Sequence, residues 1–473
     1  MSIRHQILSI LVVLLLSACG FMKPVQQPAL LPVPGAFEAS ADTASSARIS
    51  WKEFFSDKTL VHYIDTALLN NTDLLATTQE VEIAKANLRL HKGMLFPNIS
   101  LSGSAGIEKY SQYTSDYAGN STTDITPGQT VPNPLQDYAI GAQASWEADV
   151  TGKLRNMKKA AAARYLESQE GRNWAVTNLV NEVASTYYEL LALYNAVGII
   201  DSTITLQQDA LDLIKIQKDA GRANELAVKQ AEAELLSSKS LGLQNKQQVT
   251  ETENYFNMLL GRYPNPLALD TVQLTGGVPP VVKAGIPSQL LRNRPDIRQA
   301  EYELVASRAD VKAAKAAFYP SLNITAGAGF NAFHTQYLFT TPEALAWNAL
   351  GSLTAPLINR SAIQAGFNGA KAGQLQAFYH YQKSILSGFV DVRNELSAMQ
   401  NLQEQHTLKI AEVSARDESV ITSTELFKTG RATYLEVILA QQNALQAKLD
   451  LVEVKKQLFL ASVNLYKALG GGW

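Results

Sequence analysis

Two stretches of this chain repeat each other. TDLLATTQEVEIAKANLRLHKGMLFPNISLSGSAG, beginning at Thr72, aligns without a gap on PDIRQAEYELVASRADVKAAKAAFYPSLNITAGAG, beginning at Pro295. An offset of 223 residues brings Asp73 onto Asp296, Glu80 onto Glu303, Ala86 onto Ala309, Pro97 onto Pro320 and Gly106 onto Gly329. Further on, AGRANELAV at Ala220 matches TGRATYLEV at Thr429, which places Gly221 on Gly430 at an offset of 209. Leu260-Gly261 and Leu469-Gly470 share that second offset. A duplication held over such distances constrains the fold strongly, because both halves must build the same series of elements.

Each half reads as helix, strand, strand, long helix, return helix. The first helices are expected over about Thr72–Lys92 and Pro295–Ala317. Pro295 suits a first helical position and Asp296 the positive end of the helix dipole, while Pro97 and Pro320 end the helical pattern. Strict alternation follows. Ile99, Leu101, Ala105 and Ile107 alternate with Ser100, Ser102, Ser104 and Gly106, and the second half repeats this from Leu322 to Phe330. A period of two marks strands with one apolar and one polar face. Partner strands are expected at Tyr138–Glu147 and Trp347–Ala355, with a polar, turn-rich loop over Ser111–Gln136. At about ten residues each, such strands have the length a tilted barrel strand needs to cross a bilayer. An ordinary soluble sandwich is the competing reading, but two hairpins separated by roughly 200 residues of helix suit it poorly.

The long helices carry a coiled-coil rhythm. Val176, Val180, Val183, Tyr187, Leu190, Tyr194 and Val197 are spaced alternately by four and three, as are Ile385, Phe389, Val392, Leu396 and Met399. A 3.5-residue repeat is a packing seam, not a cofactor box. The stretch from Gly152 to Asp219 would form a helix of roughly 100 Å, that from Asn224 to Leu260 roughly 54 Å, and the helix before the strands roughly 32 Å. One long helix therefore faces two shorter ones, with a gap that Arg262–Gln289 would fill as a belt.

The chain begins MSIRHQILSILVVLLLSACG. Arg4 and His5 precede an apolar run, Ile7–Leu16, too short to span a bilayer and typical of a secretory signal. Leu16-Ser17-Ala18-Cys19 resembles the bacterial lipobox, which implies cleavage before Cys19 and lipid on that residue. Gly20 is not the aspartate that holds such lipoproteins in the inner membrane. Cys19 is the chain's single cysteine, so no internal disulfide is possible.

Composition and motif exclude several functions. With 41 basic against 43 acidic residues, no nucleic-acid footprint is expected. The six histidines show no metal spacing, and the six methionines are scattered, so neither a zinc site nor a soft-metal path is read. Gly152-Lys153 is no phosphate loop, because Glu147 stands where a glycine is required, and Gly327 and Gly329 lie in an alternating strand. No catalytic constellation and no cofactor is expected.

These residues carry a resemblance. LSAC at Leu16, RPDIRQAE at Arg294, FYPSLNITAGAG at Phe318, TGRATYLEV at Thr429 and NLYKALGGGW at Asn464 resemble the TolC-like outer membrane factors, in their NodT-type lipoprotein branch. The resemblance implies a homotrimer whose 12-stranded transmembrane β-barrel, four strands per chain, continues into a long periplasmic α-helical barrel. It implies a periplasmic adaptor and an inner-membrane pump of RND type as partners, outer-membrane lipid around the strands, and passive conduction. It places a gate at Phe427, Lys428 and Leu435. Where the family often has an aspartate, this chain has Leu439, so an apolar plug is the expected closure. The turns Gly221-Arg222-Ala223 and Gly430-Arg431-Ala432 match the family's adaptor-docking motifs.

The expected layout is a signal peptide over 1–18, an acylated N-terminal and equatorial segment over 19–71, and a first repeat over 72–261. A linker over 262–294, a second repeat over 295–470 and a tail over 471–473 complete it. The first repeat holds a β-hairpin over 98–147 and a helical hairpin over 152–260; the second holds them over 321–355 and 360–469. Two other readings stay open: a type I protein-secretion exit channel, and a periplasmic coiled-coil scaffold lipoprotein without a pore.

Overall fold

The structure, a computed structural model of the single chain, describes residues 25–37, 45–268, 282–356 and 361–473. The chain divides into two units, one built around Ile83–Tyr165 and Tyr302–Tyr379, the other around Leu30–Glu82, Leu166–Glu301 and His380–Trp473.

The helices are α1 (Lys58–Asn70), α2 (Thr72–Gly93), α3 (Ser115–Thr122), α4 (Lys153–Asp219), α5 (Glu225–Leu259), α6 (Pro295–Ala316), α7 (Ser361–Lys428) and α8 (Tyr434–Ala468). The strands are β1 (Asn98–Glu108), β2 (Asp124–Thr126), β3 (Gln129–Thr130), β4 (Leu135–Ala148), β5 (Ser321–Ala332) and β6 (Leu345–Thr354). The halves repeat down to their helix ends. Asn224 caps α5 and Thr433, at the offset of 209, caps α8 in a capping box with Glu436. At the far ends of the same helices the Gly261 and Gly470 amides bond Met258 O and Lys467 O, each glycine with positive φ. Side chains 223 residues apart then hold those ends: Asn71 Nδ2 donates to Leu259 O at 3.0 Å, and Arg294 Nη1 to Ala468 O at 3.1 Å.

The sheet in the first unit runs in the order β1-β4-β5-β6, every pair antiparallel. Its register aligns Leu101 with Ala142, Ala142 with Ala328 and Ala328 with Trp347, so one face is apolar across all four strands. Ser102, Ser104, Gln143, Ser145, Asn323, Thr325, Asn348 and Ser352 lie on the other face. The apolar face is bare, with Leu101 79% and Trp347 78% exposed, and among the described residues β1 and β6 each leave one edge unpaired. The β1–β4 connection is not a plain loop. Thr114 caps α3 by accepting from Tyr117 N, and a turn at Gly128 joins β2 to β3.

In the second unit the core gathers around the first seam. Val180, Val183, Tyr187 and Leu190 are buried with Leu60 and Ile64 of α1, Phe256 of α5 and Phe459 of α8. By length and composition part of α4 could cross a membrane, but these four apolar residues belong to this packed core. Helix α1 has its own signature in the sequence: Asp57 accepts from Thr59 N and Leu60 N, and Leu60, Ile64 and Ala67 line its buried face. Tyr187 Oη also donates to Asp57, at 2.5 Å. The second seam is covered less, with Val392 buried and Ile385, Phe389, Leu396 and Met399 only partly so. Phe37 stacks on Phe389 with ring centroids 5.5 Å apart, and Arg393 donates to its carbonyl.

Candidate functional site

The sequence expects functional residues where α4 turns into α5 and α7 into α8. Both turns are built alike. Gly221 has φ +73° and Gly430 φ +72°. Arg222 N donates to Gln217 O and Arg431 N to Leu426 O, each at 2.8 Å, closing both helices in the same left-handed cap. No side-chain or backbone atom lies within 4 Å of where a Cβ on either glycine would stand. These glycines thus serve the turn, and Gly221, Arg222, Gly430 and Arg431 stand exposed.

Below the turns the two hairpins share one apolar cluster. Leu211, Ile214, Val228, Ala231 and Leu235 of the first hairpin bury Tyr434, Val437 and Ile438 of α8, with Ala223, Ala227 and Phe427 packed at the margin. Gln442 donates to Glu234 across the hairpins. Burial, with Glu234 nearby, pushes the Tyr434 phenol up to about 12, so it stays neutral.

The repeat exposes a substitution that motif reading missed. Lys218 pairs with Glu225 across the first turn. The offset of 209 turns these positions into Phe427 and Tyr434, whose rings meet at 5.3 Å between centroids. An ion pair braces one tip and an aromatic pair the other. Comparing the two repeats position by position would have found it.

The expected gate residues separate accordingly. Phe427 packs inward against the cluster and Tyr434. Lys428 is exposed and pairs with Glu425 on its own helix at 2.8 Å. Leu435 stands outside the cluster that holds Val437 and Ile438 and is 48% exposed, as is Leu439 one turn on. Spaced four apart, these two leucines share one helix face. Ala432 is half-buried beside the Thr433 cap. Cys19, the expected lipid site, lies outside the described residues. Among the described residues no group of His, Cys, Asp or Glu could hold a metal ion.

A second polar cluster lies at the start of α6. Arg294 Nε and Nη2 donate to the two carboxylate oxygens of Asp296 at 3.0 and 2.7 Å, and Nη1 reaches Asp391 at 3.0 Å. Its guanidinium also lies 5.5 Å from the centre of the Trp174 ring. Burial works against the charge, but Asp296 and Asp391 hold the guanidinium protonated. Glu395 lines the adjoining cleft of about 400 Å³. Burial, then Asp391, raises its carboxyl above the usual range.

Two repeated helical hairpins and a bare, two-edged sheet leave one comparison to decide the matter. The family model of the outer membrane efflux proteins matches residues 63–262 and 286–471. The chain belongs to that family. An outer membrane efflux protein is a channel of the outer membrane and not an enzyme. Among relatives, the cation efflux system protein CusC of Escherichia coli O6:H1 is 28% identical over 473 residues, 99% of each chain. A probable outer membrane lipoprotein, SilC of Salmonella typhimurium, is 28% identical over 476 residues, again 99% of each. A crystal structure of CusC, in work on transmembrane channel formation, superposes with a TM-score of 0.81 at 27% identity, covering 96% of this chain and 100% of that one. The long helices, four-stranded antiparallel sheet and duplicated halves are thus the TolC-like fold.

Proposed function

We propose that this efflux channel is the exit duct of a three-part pump, working as a homotrimer. The open sheet carries that reading. One apolar face and two unpaired edges are costly in water and stable in lipid once every edge is matched. Three copies of four strands would close a barrel of 12, apolar outside and polar within, an even count as bacterial barrels have. A scaffold lipoprotein without a pore has no use for such a sheet.

The bottom of the duct is assigned to the hairpin tips. Leu435 and Leu439 on each of three copies would meet as an apolar plug that closes by excluding water. Lys428, with its partner on its own helix, gets a supporting role there, and Phe427 braces its hairpin. The exposed turns at Gly221-Arg222-Ala223 and Gly430-Arg431-Ala432 would receive a periplasmic adaptor, which joins the duct to an inner-membrane pump of RND type. Lipid on Cys19 would tether the chain. Substrate choice is assigned to the pump.

Two experiments test this. Side views of detergent-solubilised protein by electron microscopy should show a three-fold tube with a helical part of roughly 100 Å; solid rods or monomers would remove the duct. Leu435→Asp should make cells leakier to large antibiotics, and unchanged susceptibility at normal membrane levels would remove the gate from this position.

A further inference from the structure

Within the second unit the two repeats already touch, through one face of α4. Trp174, Thr177 and Asn181 are spaced three and four along it. The Arg294 guanidinium and the Lys467 ammonium each lie 5.5 Å from the centre of the Trp174 ring. Asn181 Nδ2 donates to Asn464 Oδ1 at 3.0 Å, and a Cβ on Gly472 would stand 3.5 Å from the Thr177 Cα.

An offset of 209 carries this face of α4 onto Lys383, Leu386 and Val390 of α7. The same offset carries Asn464, Lys467 and Gly472 back onto Tyr255, Met258 and Tyr263. Thr177 is buried, and Trp174 and Asn181 are half-buried. All six counterparts are exposed, Val390 by 51%, Met258 by 60% and Tyr263 by 93%. The chain therefore makes this contact once and carries both halves of a second one open. Leu386 and Val390, four apart, share one helix face, as do Tyr255 and Met258, three apart. Exposed apolar faces of this kind mark interaction sites.

The charges of the open halves are complementary. Inside the chain Arg294 bonds Asp296 and Asp391, which line one cleft with Trp174. The first repeat keeps both carboxylates, as Asp73 and Glu182, but has Asn71 in place of the arginine. A cation stands on the opposite side instead, where Trp174 gives way to Lys383. We propose that a second copy of this chain joins the open halves, so that α7 of one copy lies on α5 and the start of α2 of the next. Leu386 and Val390 then meet Tyr255, Met258 and Tyr263, and Lys383 comes to Asp73 and Glu182. The proposal rests on the homotrimer reading above and names its contact. A face that meets a different face head to tail closes a ring by repeating the contact in every copy. Its apolar pairs differ from the polar ones inside the chain, so α4 and α7 do not compete for one site.

The test uses the full-length protein purified in detergent. Two variants, Tyr255→Cys with Val390→Cys and Leu386→Cys with Tyr263→Cys, are treated with a short bismaleimide. All four sites are exposed, so neither variant threatens the fold. Each pair should give covalent dimers and trimers on denaturing gels, and the single variants, which carry the same Cys19, should give neither. Light scattering of the same samples counts the copies. A trimer in which neither pair cross-links overturns the proposal and leaves the homotrimer reading standing; a monomer overturns both. Adding Lys383→Glu to the first pair should weaken its bands several-fold, and adding Asp73→Lys as well should bring them back. Bands unmoved by Lys383→Glu, or not restored by Asp73→Lys, remove Lys383 from the contact.

Discussion

Removing the Arg294 side chain should cost far more than its place near one helix start suggests. Its side chain is 3% exposed and makes four charge-assisted contacts, to both oxygens of Asp296, to Asp391 and to the carbonyl of Ala468. Arg294→Ala strands the Asp296 carboxylate, whose side chain is only 20% exposed, and orphans a carbonyl at the end of α8. Breaking a buried pair from one side costs about 3–5 kcal/mol. Asp391 is 45% exposed, so water takes over its share and its pair contributes under about 1 kcal/mol. Asp296→Asn should therefore reproduce much of the Arg294→Ala loss and Asp391→Asn little of it. Arg294→Met keeps the length of the side chain and should fall as far as the alanine variant. Urea unfolding in detergent, followed by helical circular dichroism, measures each midpoint. If Arg294→Ala costs under about 1 kcal/mol, or the two aspartate variants are equal, the clamp does not hold these helices together.

Glycines with nearly equal φ should differ in tolerance: Gly430→Ala meets no atom and should cost about 1 kcal/mol. At Gly261→Ala the Cβ would stand 2.2 Å from Asn70 O, and unfolding midpoints should show a loss at least twice as large. Because burial raises the Glu395 carboxyl, its ionised form costs stability at neutral pH, and the folded chain holds its proton to higher pH than the unfolded one. Glu395→Gln should therefore raise the melting temperature at pH 7, with the gain vanishing as pH falls below the ordinary glutamate range; equal melting across pH would contradict this. Cys19→Ser should abolish the acyl mass in intact-protein mass spectrometry while leaving the circular dichroism of the helices unaltered, and altered helicity would give the lipid a folding role.

The strands were legible because Ile99, Leu101 and Ile107 alternate with serine and glycine, and the sheet keeps that alternation across β4, β5 and β6. The tip turns were legible through the repeat of Gly221 in Gly430. Helix α1 escapes a reading keyed to repetition, because its counterpart in the second half is the four residues Leu290–Asn293. Helix α3 and the β2–β3 ribbon fall in a connection that is shorter in the second half, between Ala332 and Leu345, so the repeat does not reveal them. Where each residue of the proposed gate points was hidden for another reason. Motif matching puts Phe427, Lys428 and Leu435 in one group, but helix geometry turns them to different surroundings: the cluster, their own helix and open solvent. Tyr434 lies within the TGRATYLEV stretch, but only packing shows that it joins the hairpins.

The bare sheet has a consequence for how such a protein is made. A newly exported chain can bury the core around Tyr187 alone, but on the trimeric reading proposed above β1 and β6 pair only once other copies arrive. If three copies close the barrel as proposed, folding and assembly of the strands are the same event, and the yield of finished channel should rise steeply with the rate of synthesis. A cell that makes the chain slowly must shelter it in transit, because until its edges are matched each copy is a template for aggregation.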